Sequence, residues 1–117
     1  MCMKIVRWVG RSREDLRAFP EEVQSGIGFA LYLAQLGRKA LAAKPLKHFG
    51  GAGVLEIVED FDGDTYRCVY TVKFASAVYV LHAFQKKSKH GISTPKAEMD
   101  LVNARLKLAQ QDHRMRI

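Results

Sequence analysis

Tyr66-Arg67-Cys68-Val69-Tyr70-Thr71-Val72 is followed, after a short break, by Val78-Tyr79-Val80-Leu81-His82-Ala83-Phe84-Gln85-Lys86-Lys87-Ser88-Lys89. β-Branched and aromatic residues dominate both stretches, so both read as strands, predicted over 65–74 and 78–84. Ala75-Ser76 is the expected turn between them. A period of two puts Tyr66, Cys68, Tyr70 and Val72 on one face of the first, and Arg67, Val69, Thr71 and Lys73 on the other. On the second, Val78, Val80, His82 and Phe84 share a face, and Tyr79, Leu81 and Ala83 share the opposite one. An arginine inside an apolar strand and lysines at a strand's end are what this core has to explain.

Working outward, Val54 to Glu59 reads as a preceding strand, joined through Asp60-Phe61-Asp62-Gly63-Asp64, whose Asp-Gly is a hairpin signal. Short connections make the three strands antiparallel. Residues 38–53, with Lys44-Pro45 and several glycines, read as a loop. Lys4 to Val9 reads as a first strand, expected to join the sheet as its fourth. Ser12 is placed as the N-cap of a short helix that Pro20 interrupts. Pro20 then opens a second helix with the apolar stripe Val23, Ile27, Ala30, Leu31 and Ala34, closed at Gly37. Gly26 and Gly28 in that helix suggest a close approach to another element. Thr94 is placed as N-cap and Pro95 as first residue of a last helix. Its expected stripe is Ala97, Leu101, Ala104 and Leu108, widened by Val102 and Leu106. It is expected to fray near Gln111, before a mobile basic tail. The order is β, α, α, β, β, β, α, an α+β fold with a four-stranded antiparallel sheet and helices on one side.

The 117 residues fit one domain, 1–117. With 48% hydrophobic and 26% charged residues the composition is that of a folded globule. No apolar run is long enough to span a bilayer. The opening Met1 to Trp8 has no signal-peptide pattern, so a cytoplasmic location is expected. Cys2 and Cys68 lack metal-ligand or redox spacing, and a buried, inert Cys68 is the simplest reading. The 19 Lys and Arg against 12 Asp and Glu give a net charge of +7, which favours a polyanionic partner.

There is no phosphate-binding P-loop, nucleophile elbow, zinc helix or EF-hand in the sequence. His48, His82, His90 and His113 are too scattered for a metal site, and no metal or cofactor is expected. A cationic patch near strand ends remains. RNA can be cleaved without a metal when its own 2′-OH attacks the adjacent phosphorus. The protein must then align the attack, neutralise the growing charge and help move two protons. The guanidinium fork of Arg67 suits phosphate. Lys86, Lys87 and Lys89 add positive charge, and a lysine with a depressed pKa can serve as general base. His90 or His82 can transfer a proton near neutral pH. Lys47 and Lys73 are the remaining candidates for contact with the RNA backbone. The plainer alternatives are that Arg67 is an exposed cross-strand partner of Glu56 or Glu59, that the lysines form a solvated turn or a generic phosphate-binding patch, and that His82 is a satisfied core histidine.

The sequence resembles the RelE/ParE toxin superfamily, in its HigB-like, phage-related branch. The likeness is carried by Lys44-Pro45-Leu46-Lys47, Val54-Leu55-Glu56-Ile57, Tyr66-Arg67-Cys68-Val69-Tyr70, His82-Ala83-Phe84-Gln85-Lys86-Lys87-Ser88 and the helix opened by Thr94-Pro95. It implies a toxin of a type II toxin–antitoxin pair that cuts mRNA on the ribosome, in contact with 16S rRNA, without a cofactor. The implied partner is a HigA-like helix-turn-helix antitoxin, in a toxin–antitoxin hetero-oligomer. Arg67 matches the family's strand arginine at the scissile phosphate, and Lys86 the basic residue after the last strand, with Lys87 beside it. Where the HigB-like branch reads Glu-Leu-Arg, this chain carries Val58 in place of the arginine. The C-terminal tyrosine of the classical members is missing, and His90 is its candidate substitute. A gyrase inhibitor or a non-catalytic phage-derived binding module on the same fold is the alternative.

Overall fold

The two central strands run from Asp64 to Thr71 (β4) and from Ala77 to Lys86 (β5). The remaining elements are β1 (Ile5–Trp8), α1 (Ser12–Arg17), α2 (Glu21–Gln35), β2 (Ala43–Pro45), β3 (Val54–Phe61) and α3 (Lys96–Met115). The computed structural model describes residues 3–49, 53–86 and 94–116.

Among the described residues the sheet has five strands in the order β1-β5-β4-β3-β2, not four. It is mixed: β1 lies parallel to β5, and the other pairs are antiparallel. The fifth strand, β2, falls in the stretch expected to be loop. Three residues ending in proline give little strand signal, but an edge position tolerates proline because no partner needs its missing N–H. The parallel pairing of β1 was equally invisible, since it joins segments far apart in sequence rather than across a hairpin.

Helices cover both faces, correcting the one-sided layout. Leu16 of α1 and Val23, Ile27, Ala30, Leu31 and Ala34 of α2 pack on Ile57, Cys68, Tyr70, Val78 and Val80. Val102, Leu106 and Ala109 of α3 pack on Val69, Tyr79, Leu81 and Phe84. The inward stripe of α3 is therefore not the expected one, and Leu108 is exposed. Both sets have helical spacing. The true face is disguised because it also carries Glu98 and Arg105, which meet a buried polar group on β5. The helix also continues to Met115 rather than fraying at Gln111. Asp112 accepts hydrogen bonds from Tyr79 on β5 and Arg116, both 2.7 Å, which fasten the last turn.

Several local readings hold. Asp62 and Gly63, both at positive φ, form the two-residue turn between β3 and β4. Gly37 closes α2 with a Schellman pair, Arg38 N–H to Leu33 O at 2.8 Å and Gly37 N–H to Ala34 O at 3.0 Å. Gly26 lies where an added Cβ would come within 2.6 Å of Glu59 Oε1, so α2 approaches β3 closely there, whereas an added Cβ at Gly28 meets nothing within 4 Å and the expected close approach fails at that position. Cys68 is buried and free, and burial pushes its thiol up to about 12. The helix starts differ by a residue. Pro20 and Pro95 occupy the N-cap positions, Arg11 does so for α1, and none makes a side-chain cap bond. Ser12 is instead buried, its hydroxyl donating to Val80 O at 3.1 Å.

The consequential departure is a β-bulge. Val69 pairs with His82 and Tyr70 with Val80, so Leu81 has no partner on β4. One extra residue reverses the facing of everything after it. His82 and Phe84 therefore turn towards α3 and Ala83 towards α2, opposite to strict alternation from Val78. The carbonyls at the bulge are held from both sides: Val80 O by Ser12, Leu81 O by Arg105 Nη1 at 3.0 Å.

Candidate functional site

Arg67 lies in the middle of β4 on the face that α3 covers. Its directly paired neighbours are Val58 on β3 and Phe84 on β5. Its diagonal neighbours are Glu56, which pairs with Val69, and Lys86, which pairs with Thr65. Lys86 reaches this face only because of the bulge. With strict alternation from Val78 it would point towards α2.

All three charged groups are buried, with 5% of Arg67, 3% of Glu56 and 7% of Lys86 exposed. Arg67 Nη1 donates to Glu56 Oε1 at 2.7 Å. Thr94 Oγ1, just before α3, donates to Glu56 Oε2 at 2.7 Å. Thr94 thus ties the start of the helix to the sheet rather than capping it. The cross-strand partnership of Arg67 with Glu56 is real, but it is buried and not a surface pair. Its Coulomb attraction acts in a low-dielectric setting, where removal of either partner leaves an uncompensated charge. Lys86 has its pKa lowered, first by burial and then by the positive charge of Arg67, with Glu56 pulling the other way. A lysine so placed gives up its proton more readily than a free one.

A cleft of about 520 Å³ opens beside Glu56, between the β2–β3 edge and the start of α3. Lys44, Lys47 and Lys96 bring positive groups to it, His48 an imidazole, and Pro45, Leu46 and Met99 supply apolar wall. Lys44 is placed by its pairing with Glu56 across β2 and β3. His48 holds a left-handed backbone, φ 77°, unusual for a residue with a Cβ. A second cleft of similar volume lies between β1 and the far end of α3. Its Asp112 is already engaged by Tyr79 and Arg116.

The structure thus brings Arg67 and Lys86 together and places Lys47 on the cleft that Glu56 lines. Lys73 is exposed beyond the end of β4, about 20 Å along the strand direction from Arg67 at roughly 3.3 Å per residue. Lys87, Lys89 and His90 lie outside the described residues. His82 takes the core reading. Arg105 has only donors, so its 3.2 Å contact makes His82 Nδ1 an acceptor. Nε2 then carries the proton and donates to Glu98 Oε2 at 3.1 Å. Burial lowers the pKa of His82 against the pull of Glu98, and the ring stacks on Phe84 at 4.9 Å. Among the described residues no group of His, Cys, Asp and Glu could hold a metal ion. None of the described helices is long and apolar enough to cross a membrane.

Sequence reasoning gave no role to Glu56 beyond a possible surface pair, and none to Lys44, Thr94, Lys96 or Met99 at the cleft. The available signal was Glu56 itself, an acidic residue in an otherwise apolar strand, which needs a buried cation.

Residues 14–107 match the family described as phage-derived protein Gp49-like (DUF891). Comparison with curated proteins finds no match. Among solved structures the chain is similar to a chain of the toxin–antitoxin complex RelBE2 from Mycobacterium tuberculosis. The identity is 23%, the coverage 75% of this chain and 97% of that one, and the TM-score 0.47.

Proposed function

The chain belongs to the phage-derived Gp49-like family, the phage-related branch of the RelE/HigB-like toxins, and on that footing we propose that it is the toxin of a type II toxin–antitoxin system that cuts mRNA on the ribosome. The observation that carries the reading is the placement of Arg67 and Lys86 on diagonal positions of one sheet face, with Arg67 bound to the Glu56 that lines a cleft rimmed with lysines. In this scheme the 2′-OH of one nucleotide attacks the adjacent phosphorus and the 5′-oxygen leaves. Arg67 neutralises the charge growing on the phosphate oxygens. Lys86, with its lowered pKa, takes the proton of the 2′-OH as general base. Glu56 holds the guanidinium in place through the 2.7 Å bond. Lys87 and His90 are proposed to complete the site, His90 as proton donor to the leaving oxygen. Lys47, Lys73 and Lys89 are proposed to hold flanking phosphates. The partner is a HigA-like helix-turn-helix antitoxin, and the protein acts in the cytoplasm.

Primer extension on cellular mRNA after induced expression tests this. The reading expects growth arrest and cuts within translated codons, both lost in Lys86→Met, which keeps the apolar stem and removes the charge. Arrest with intact mRNA and altered DNA supercoiling would point instead to a gyrase inhibitor.

A further inference from the structure

We propose that the cleft of about 520 Å³ beside Glu56 is a nucleobase pocket that selects guanine, with Glu56 as the reading group. The inference rests on the RNA-cleaving reading above and adds which nucleotide the site favours.

The cleft combines features that together describe one kind of ligand. Its volume lies within the range of small-molecule pockets. Leu46 and Met99 offer apolar surface to the faces of a flat ring. Lys44, Lys47 and Lys96 are exposed at its rim, where they complement a phosphate without needing to be desolvated. A nucleotide is flat and apolar in the ring faces, polar at the ring edge and anionic at one end. An acidic peptide or a bare anion would use the lysines but leave the apolar wall and the buried carboxylate unmatched.

Glu56 decides the base. A carboxylate has about four lone-pair sites. Arg67 takes one on Oε1 and Thr94 one on Oε2, so each oxygen keeps acceptor capacity. Guanine presents N1–H and an N2 amino hydrogen side by side, a pair of donors spaced for the two oxygens of one carboxylate. Adenine and cytosine each set an amino group beside a ring nitrogen acceptor, and uracil sets one N–H between two carbonyls. Each of those three turns a lone pair towards the carboxylate, where like polarity repels. The same carboxylate that holds Arg67 therefore reads the base, which links the position of the nucleotide to the position of the guanidinium.

The test is a titration of the full-length protein with 3′-GMP, 3′-AMP, 3′-CMP, 3′-UMP and inorganic phosphate, followed by backbone amide NMR shifts. The expected result is binding of 3′-GMP at least tenfold tighter than of the other four, with shifts at residues around 44–48 and 94–99. Met99→Trp, which fills the cleft, should abolish that binding with the amide spectrum of the fold retained. Should Met99→Trp not fold, Leu46→Trp fills the same space from the opposite wall. Equal affinity for the four nucleotides, affinity no better than for phosphate, or full binding by the folded Trp variant overturns the pocket. Failure of the two readings can be told apart. Selective 3′-GMP binding by a protein that never cuts RNA keeps the pocket and sinks the nuclease. RNA cutting without guanine preference and unaffected by Met99→Trp does the reverse.

Discussion

Glu56 carries two jobs through two oxygens. Oε1 neutralises the buried guanidinium of Arg67, and Oε2 fastens Thr94 at the start of α3. Glu56→Ala should therefore destabilise the fold by on the order of 3 kcal/mol, read as a shift of the urea unfolding midpoint at constant slope. A loss below about 1 kcal/mol would mean that the pair contributes no more than a surface contact. Arg67→Ala should be costly for the same reason, so a loss of toxicity in that variant says little unless the fold is shown intact. Lys86 gives a cleaner handle. Its pKa is lowered in the folded state by burial and by Arg67. In the folded protein the neutral amine appears at a pH below the ordinary lysine value of 10.5. If Lys86 is the base, single-turnover cleavage rises with pH, with an inflection below 10.5, and Lys86→Met loses that rising limb. The stability effect has the same sign. The unfolded chain binds more protons than the folded one between the lowered value and 10.5, so stability rises with pH across that window. Arg67, Lys86 and Lys47 were legible as cations at strand and loop positions. The acidic partner was not, because a lone glutamate in a strand looks the same whether it faces water or a buried arginine.

At the scale of elements, the bulge at Leu81 is what brings Lys86 to Arg67. Ser12 and Arg105 satisfy the two carbonyls there, and Arg105 also binds His82, which holds Glu98. Arg105→Ala should cost roughly 1–3 kcal/mol by leaving Leu81 O and His82 short of a partner. It should also reduce cleavage by loosening the end of β5, a readout that loss of packing elsewhere would not single out. The inward face of α3 offers a sharper contrast. Leu106 is 6% exposed and Leu108 52%. Leu106→Ala should cost about 2–4 kcal/mol and Leu108→Ala within about 0.5. The reverse order would restore the stripe of Ala97, Leu101, Ala104 and Leu108. Strands β3 to β5, their turn at Asp62-Gly63 and the buried face of α2 could be read from periodicity and turn residues. The bulge could not, because nothing in Val80-Leu81-His82 marks an extra residue. The groups that hold its two carbonyls, Ser12, Arg105 and the backbone N–H of Val9, all lie far away in sequence.

At the scale of the whole molecule, the described residues form a five-stranded mixed sheet between two helices on one face and one on the other, and the chain carries a net charge of +7. The α+β class and the order of the main elements followed from the sequence. The parallel edge strand and the second helical layer did not, since both depend on which distant segments meet. The basic balance implies counterion release on RNA binding. With three or four phosphates neutralised, the logarithm of the affinity for single-stranded RNA should fall with the logarithm of salt at a slope of about −2 to −3. A slope near zero would mean that the lysines around the cleft do not meet phosphate.

The most direct test of the central claim is end-group analysis of mRNA cut in a reconstituted translation reaction with the purified protein. The account predicts a 5′-OH on one product and a 2′,3′-cyclic phosphate on the other. It also predicts no cut when the attacking nucleotide lacks its 2′-OH, and none with Lys86→Met. Cuts that leave a 5′-phosphate, cuts that persist at the deoxy-substituted position, or mRNA left whole by the folded wild-type protein would contradict it.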